Sequence, residues 1–424
     1  MSKFALSSWF KVHPDERGPL VWSFLYFFCL LCGYYMLRPV RDEMAIEGGV
    51  QHLPWMMTGT FLTLLVTTPL FGWLSSKWRR VPLLFAVYGF FIVHLVLFYI
   101  VMTEQWHPEW VARVFFVWLS IFNLFVVSVF WSFMADLFTP EQGTRLFSVI
   151  AAGGSLGAIS GPILTAGIIS VLPIPSLMIC STLWLSACMV CIYRLDRWPR
   201  ADRLANRSRQ EALGGSMWAG IRLAAKSSYL MGICAYLFVL TMSATVLYLE
   251  QMAVISRDIT VPESRTRLFA GIDLTVNLLT FLTQALVTNR LVLRFGLGPA
   301  LMFLPAVSAL GFLALAVSPL LPVFVLFTVV RRVGEYAISK PAREVLFTVV
   351  SREEKYKAKN FIDTTVSRGG DASTGWVMSG IKALGVSATH LALLLIPLMI
   401  VWGWIARFLA RREALLQHEN RHRP

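Results

Sequence analysis

Twelve times along this chain of 424 residues, roughly 20 mostly apolar residues follow one another, the length at which a helix crosses a lipid bilayer. The runs lie near 20–37, 54–74, 82–102, 112–134, 145–171 and 174–193, then 229–249, 267–288, 299–318, 320–338, 370–387 and 389–408. The fifth and eleventh are rich in Gly, Ser and charge. Apolar residues make up 56% of the chain and charged ones only 15%, against about 25% in a soluble domain. A soluble protein so apolar could not clothe its surface in polar groups. The expected fold is therefore all-α and integral to a membrane, with about twelve transmembrane helices. Leu20 to Leu37 is long enough to span, and no small-residue cleavage site follows it. It reads as a first helix rather than a removable signal.

The net charge of +14 raises the prospect of a polyanion such as nucleic acid, and its placement argues against one. Of 38 Lys and Arg, 31 fall on the N-terminus, the even-to-odd loops and the C-terminus; 7 fall on the opposite side and in the eleventh helix. Cytoplasmic loops carry such an excess. Both termini are expected in the cytoplasm, which requires an even number of spans, and a bacterial inner membrane is the expected location. The six cysteines all lie inside apolar runs. Two pairs have C-x-x-C spacing, but no loop, glycine or histidine completes a metal or redox site, so packing is the expected role.

The longest hydrophilic stretch, Arg194 to Ser228, divides the chain into an N-terminal bundle (1–193), a cytoplasmic linker (194–228) and a C-terminal bundle (229–424). The halves echo one another. Thr139–Arg145 precedes the fifth run and Ser351–Lys357 the eleventh, 212 residues later. The pairs Gly153-Gly154 and Gly369-Gly370 are 216 apart, so the second copy holds one extra helical turn. Duplicated six-helix bundles are a transporter architecture.

Between the second and third runs stands Gly72-Trp-Leu-Ser-Ser-Lys-Trp-Arg-Arg80. A glycine, a short turn and a basic cluster here resemble the signature loop of the major facilitator superfamily, with Ser75 and Ser76 near the place of its aspartate. The loop Asn289 to Gly296 is a degenerate copy. The glycine is expected to admit a neighbouring helix, and Lys77 and Arg80 to dock on helix ends and anionic lipid heads. An ordinary positively charged loop would look the same. The fifth run carries Gly153-Gly-Ser-Leu-Gly157-Ala-Ile-Ser-Gly161-Pro162. Small residues four apart let helix backbones approach, and the proline permits a bend. The stretch also resembles the fifth-helix motif of major-facilitator antiporters; plain helix packing accounts for it equally.

Charge within a span is costly and marks a pathway or an ion pair. Arg38, Arg41 and Asp42 are expected to end the first helix, and Glu250 the seventh. Asp273 lies midway along the eighth, with Asn277 and Gln284 roughly on its face. Arg331, Arg332 and Glu335 close the tenth, Asp371 and Lys382 lie in the eleventh, and Asn123 in the fourth. Arg41 with Asp42 and Arg332 with Glu335 are natural local pairs. Arg38 and Arg41 supply more positive charge than these neighbours neutralise, and guanidinium forks suit phosphate or carboxylate.

Tyr34-Tyr-Met-Leu-Arg-Pro-Val-Arg-Asp42, Phe130-Trp-Ser-Phe-Met-Ala-Asp136 and Lys340-Pro-Ala-Arg-Glu-Val-Leu-Phe347, with Glu353–Asp363 and Arg368-Gly-Gly beyond, follow in helix order. Together they resemble the ATP/ADP translocases of plastids and intracellular bacteria, a branch related to the major facilitators. The resemblance covers most of the chain. It implies that Arg41 stands where that family has a first-helix lysine, Glu250 near its seventh-helix glutamate, and Arg343 at the lysine of its Lys-Glu pair. The family's fourth-helix glutamate has no counterpart, and Asn123 is the nearest polar residue. Arginine keeps the charge but is not equivalent to lysine towards phosphate.

The expected function is secondary active transport of an anionic small molecule, a nucleotide or other phosphate-bearing metabolite. Arg38, Arg41, Glu250, Arg343 and Asn123 are the expected substrate contacts. Asp42, Asp273, Glu335, Arg332, Lys77 and Arg80 are the expected coupling and gating groups. Proton-coupled export of a lipid-like, drug-like or cell-wall compound is the alternative. The spans hold no His-Glu-x-x-His and no phosphate-binding Gly-x-x-x-x-Gly-Lys-Ser/Thr loop, so neither an enzyme nor an ATP-driven pump is expected. No metal or cofactor is expected, the partners are the substrate and membrane lipids, and the chain is expected to act as a monomer.

Overall fold

The computed structural model describes residues 12–198, 227–288, 296–350, 359 and 362–421. These residues are almost wholly helical, and none forms a strand. The helices of the first half are α1 (Arg17–Glu47), α2 (Leu53–Lys77), α3 (Arg80–Thr103), α4 (Pro108–Leu137), α5 (Pro140–Ile168) and α6 (Ser176–Asp196). The second half supplies α7 (Ser228–Asp258), α8 (Pro262–Thr283), α9 (Leu297–Val317) and α10, which runs over Leu321–Gly334 and resumes at Lys340–Leu346. It closes with α11 (Ser367–Ala383) and α12 (Ala388–Arg421). Three π turns, Gln284–Thr288, Glu335–Ser339 and Ile362–Val366, all fall in the second half. The described residues thus hold twelve helices, six before the hydrophilic linker and six after it.

Ten of the helices are long and apolar enough to span a bilayer by themselves. The tenth and eleventh are not among them. A π turn divides α10 close to Arg331 and Arg332, and α11 has only 17 residues, with a charge at each end. Several helices outrun the apolar stretches that announced them. α1 continues ten residues past Leu37 with Pro39 inside it, and α7 continues eight past Glu250. The expectation that Arg38, Arg41, Asp42 and Glu250 end their helices is corrected accordingly. Arg38 and Glu250 meet partners on other helices, and Arg41 and Asp42 pair with each other within α1.

The chain resolves into two compact units. The first is residues 1–48, 63–203 and 261–274; the second is 49–62, 204–260 and 275–424. The start of α2 thus groups with the second unit and the first half of α8 with the first, a departure from a clean division at the linker. Most of that linker, 199–226, lies outside the described residues, as do Asn289–Arg294 and Ser351–Lys357.

In the first unit α1 is enclosed by α4, α5 and α6. The glycine stripe of α5 faces it. A Cβ at Gly157 would lie 2.3 Å from the Phe28 carbonyl oxygen, and one at Gly161 2.8 Å from that of Cys32. Backbone therefore meets backbone, the arrangement that small residues four apart allow in lipid, where packing replaces the hydrophobic drive. Hydroxyls reinforce it: Thr165 donates to the Met36 carbonyl at 2.8 Å, and Ser181 of α6 to that of Gly33 at 3.2 Å. Of the two readings of this motif, helix packing is the one these contacts describe. Aromatic rings fill the α1–α4 side, with Phe27 stacked on Phe130 at 4.2 Å. Thr139 caps α5 with Gln142 in a reciprocal box, which starts the helix five residues before Arg145.

The second unit repeats the plan. Gly370 of α11 packs on Thr241 of α7, as Gly154 of α5 packs on Phe27 of α1. Tyr26 of α1 bonds Tyr88 of α3 at 2.7 Å, and Tyr236 of α7 donates to the Leu301 carbonyl of α9 at 3.0 Å. Cys29, Cys32, Cys188 and Cys191 are free thiols buried among the helices of the first unit.

Candidate substrate and coupling groups

In the first unit, the last three turns of α1 and the first half of α8 share a charge cluster. Arg38 Nε lies 3.6 Å from Asp273 Oδ2, and the guanidinium leans on the Tyr35 ring. Arg41 grips its neighbour Asp42 at 2.7 Å and lies over Phe116. Asp273, 1% exposed, is the most deeply placed of the expected carboxylates.

The tightest pair in this cluster was not foreseen. Glu43 is fully buried and receives Arg265 of α8 in a two-pronged grip, at 2.8 Å from Nε and 2.6 Å from Nη2. Glu47 lies 3.9 Å from the same guanidinium. Parallel donation of this kind is the strongest ion-pair geometry available to arginine. Three guanidinium groups thus meet four carboxylates. The expectation that Arg38 and Arg41 leave positive charge unbalanced is corrected: Asp273 neutralises Arg38 from a helix far away in sequence.

In the second unit polar contacts join α7 to α11. Lys382 Nζ lies 2.8 Å from Glu250 Oε1, and Asp371 accepts from Thr245 at 2.7 Å and pairs with Arg368 at 3.2 Å. On α10, Arg331 is buried and donates to the Leu240 carbonyl at 2.8 Å and the Ser243 hydroxyl at 3.1 Å. Arg331, four residues before Glu335, pairs with Glu335 at 3.1 Å. Arg332 is half-buried. Arg331 thus ties α10 to the α7 backbone as a structural strut.

Past the π turn, Arg343 Nη2 lies 3.4 Å from Asp363 Oδ1. Its side chain is 13% exposed, and its Nε is buried with no hydrogen-bond partner among the described residues. Burial pushes the Asp363 carboxyl above its ordinary range, while the Arg343 guanidinium pulls it down.

The basic loop between α2 and α3 divides its work. Arg80 opens α3 and reaches α4, with Nη1 donating to Ser132 at 2.6 Å and Nη2 at 2.6 Å from Asp136. The Phe130–Asp136 stretch thus anchors the loop. Lys77 lies over the Trp73 ring at 4.4 Å. Outside its own helix, nothing described lies within 4 Å of a Cβ placed at Gly72, so the expected close helix approach is not found among the described residues. Asn123 is half-buried on α4. Arg38, Arg41, Asp42, Asn123, Asp273, Lys77 and Arg80 belong to the first unit; Glu250, Arg332, Glu335 and Arg343 belong to the second.

Long apolar helices with ion pairs on α1 and α7 define a polytopic membrane protein. Residues 23–347 match the Major Facilitator Superfamily, and the chain belongs to that family. It is 22% identical to ADP,ATP carrier protein 1 of Chlamydia trachomatis serovar D over 92% of this chain and 88% of that one. The carrier of the same name from Chlamydia muridarum is 21% identical over the same shares. Among solved structures, a POT family transporter in complex with a thioalcohol-conjugated peptide aligns with a TM-score of 0.67 at 11% identity, covering 93% of this chain and 96% of that one. The nucleoside transporter NupG aligns at 0.59 with 13% identity, covering 95% and 99%. These structural likenesses speak for the fold.

Proposed function

We propose that this transporter moves an anionic, phosphate-bearing small molecule, with nucleotides first among the candidates, by alternating access of its two bundles. We place it in a bacterial inner membrane with both termini cytoplasmic, on the distribution of Lys and Arg. The observation that carries the anionic reading is Arg343. It is a mostly buried guanidinium 3.4 Å from Asp363, and its Nε–H has no hydrogen-bond partner among the described residues. A phosphate oxygen can take up that donor and compete with Asp363, because guanidinium forks match phosphate. Arg41 and Arg38 are the corresponding groups of the first unit, and in this reading the carboxylates beside them, Asp42 and Asp273, give way to substrate. The similarity to ADP,ATP carriers over 92% of the chain supports the same cargo class. Glu250 is the coupling group in this reading: on taking a proton it would lose its hold on Lys382.

Purified protein in proteoliposomes should take up labelled ATP or ADP saturably, faster with nucleotide loaded inside. Arg343→Ala should raise the half-saturating concentration about tenfold or more, since a charged hydrogen bond contributes roughly 1.5–3 kcal/mol. Absence of uptake for ATP, ADP, GTP and NAD alike would reject nucleotides as cargo. Uptake driven by a proton gradient with no internal substrate would favour proton coupling over exchange.

A further inference from the structure

The second unit has a groove of about 870 Å³ between α9 and α12, the size of a pocket that takes a drug-sized molecule. Its floor is apolar: Met302, Pro305 and Ala309 from α9, Met399 and Gly403 from α12. Ile400 and Trp404 on its rim are 55% and 76% exposed, so it opens sideways, where acyl chains lie in a membrane. All its charge sits at one end, on Arg407, Arg411 and Arg412. Arg407 and Arg411 continue the helical row of Gly403 at four-residue spacing, so they stand directly beyond the apolar hollow.

None of the three arginines has an ion pair or hydrogen bond with another described residue. The one carboxylate in that turn, Glu413, is taken by Gln417. The helix itself sets their depth. α12 begins at Ala388 just after the Gly385 turn, and Arg407 follows about 29 Å later at 1.5 Å per residue. The hydrocarbon core is about 30 Å thick. The three guanidinium groups therefore stand at the height of the phospholipid headgroups, and the hollow below them at the height of the tails.

We propose that this groove is a binding site for an anionic phospholipid, with an acyl chain along Met302–Ala309 and Gly403 and the headgroup phosphate among Arg407, Arg411 and Arg412. A water-soluble phosphate compound would leave the apolar floor uncovered, and a zwitterionic lipid would leave the three cations unbalanced. An anionic lipid answers both. Near a membrane surface each arginine contributes about 1 kcal/mol towards anionic lipid, or about fivefold in affinity, and the three together about a hundredfold.

The test uses the full chain, purified in detergent and stripped of lipid, with thermal unfolding as the readout. Dioleoyl phosphatidylglycerol should raise the unfolding temperature by several degrees; dioleoyl phosphatidylcholine and glycerol 3-phosphate should not. The triple variant Arg407→Gln/Arg411→Gln/Arg412→Gln should keep its lipid-free unfolding temperature and need about a hundredfold more phosphatidylglycerol for the same shift. Gly403→Leu fills the hollow without touching charge; the nearest neighbour of a Cβ there, Pro305, is 3.9 Å away. It should weaken the response tenfold or more. Equal stabilisation by phosphatidylcholine, full stabilisation by glycerol 3-phosphate, or an unchanged response in both variants would overturn the proposal. So would a lipid-free unfolding temperature that rises with protein concentration, which would put a second copy of the chain in the groove.

Discussion

Gly157→Ala adds one methyl group at the tightest point of the α1–α5 contact. Its Cβ would lie 2.3 Å from the Phe28 carbonyl oxygen and 2.9 Å from the Cys32 nitrogen. Both obstacles are helix backbone and cannot rotate aside, so α5 must retreat about 1 Å from α1 to restore ordinary contact. A gap of 0.5–1 Å forfeits roughly a quarter to a half of each dispersion contact along the seam. Overpacking of this kind costs about 1–3 kcal/mol. Taking about 2 kcal/mol, the unfolding temperature should fall by about 4–8 °C, on the scaling for domains of 150–250 residues. Gly89→Ala on α3 is the control: nothing described lies within 4 Å of a Cβ there. It removes a flexible residue from a helix interior and should stabilise by about 0.5–1 kcal/mol. Tryptophan fluorescence during heating of the detergent-purified variants reads both. The same sign and size for the two substitutions would refute the claim that space beside the glycine, rather than glycine itself, decides the effect.

Arg265→Met should lower stability by about 3–5 kcal/mol, because it strands the fully buried Glu43 carboxylate; the double change Glu43→Leu/Arg265→Met should recover most of that loss in the same melting assay. A double variant as unstable as the sum of the singles would remove the pair from the account. Tyr26→Phe should cost about 1–3 kcal/mol by orphaning the buried Tyr88 hydroxyl, and Tyr26→Phe/Tyr88→Phe should be nearer neutral in chemical denaturation. Reporter fusions should place the end of α12 in the cytoplasm and the α1–α2 turn outside. An external α12 terminus would reverse the topology.

Legibility in the sequence tracked the range of the forces involved. Helix number followed from apolar run length because lipid imposes it residue by residue. The glycine stripe was legible for the same reason, since close packing needs particular residues at fixed local spacing; the α5 start at Thr139 was not, because the apolar run begins only near Arg145. What stayed hidden was long-range pairing. Glu43 lies among Asp42 and Glu47 with no nearby cation except Arg41, and this local excess of carboxylate was the one available sign that a distant guanidinium was required. Arg265, more than two hundred residues on, carried no mark that set it apart from Arg267 or Arg257. The same gap misjudged where α1 and α7 end, since a charge neutralised from another helix does not stop its own. Arg331 and Arg332 differ by one position, yet the 3.6-residue turn puts the first against α7 and Glu335 within its reach.

The three described π turns give the second half local slack in chain length. A π turn houses one residue more than the α turn it replaces. It absorbs an inserted residue locally and leaves the helix beyond it in its old place. One of them, Ile362–Val366, falls in the interval where the second half is longer than the first, between the segment before α11 and its glycine pair. The glycines of the two halves each meet the first helix of their own bundle, Gly154 at Phe27 and Gly370 at Thr241. A π turn can thus take up one residue of chain length without moving the seam, and a variant shortened by single residues at the π turns should still thread the same twelve helices.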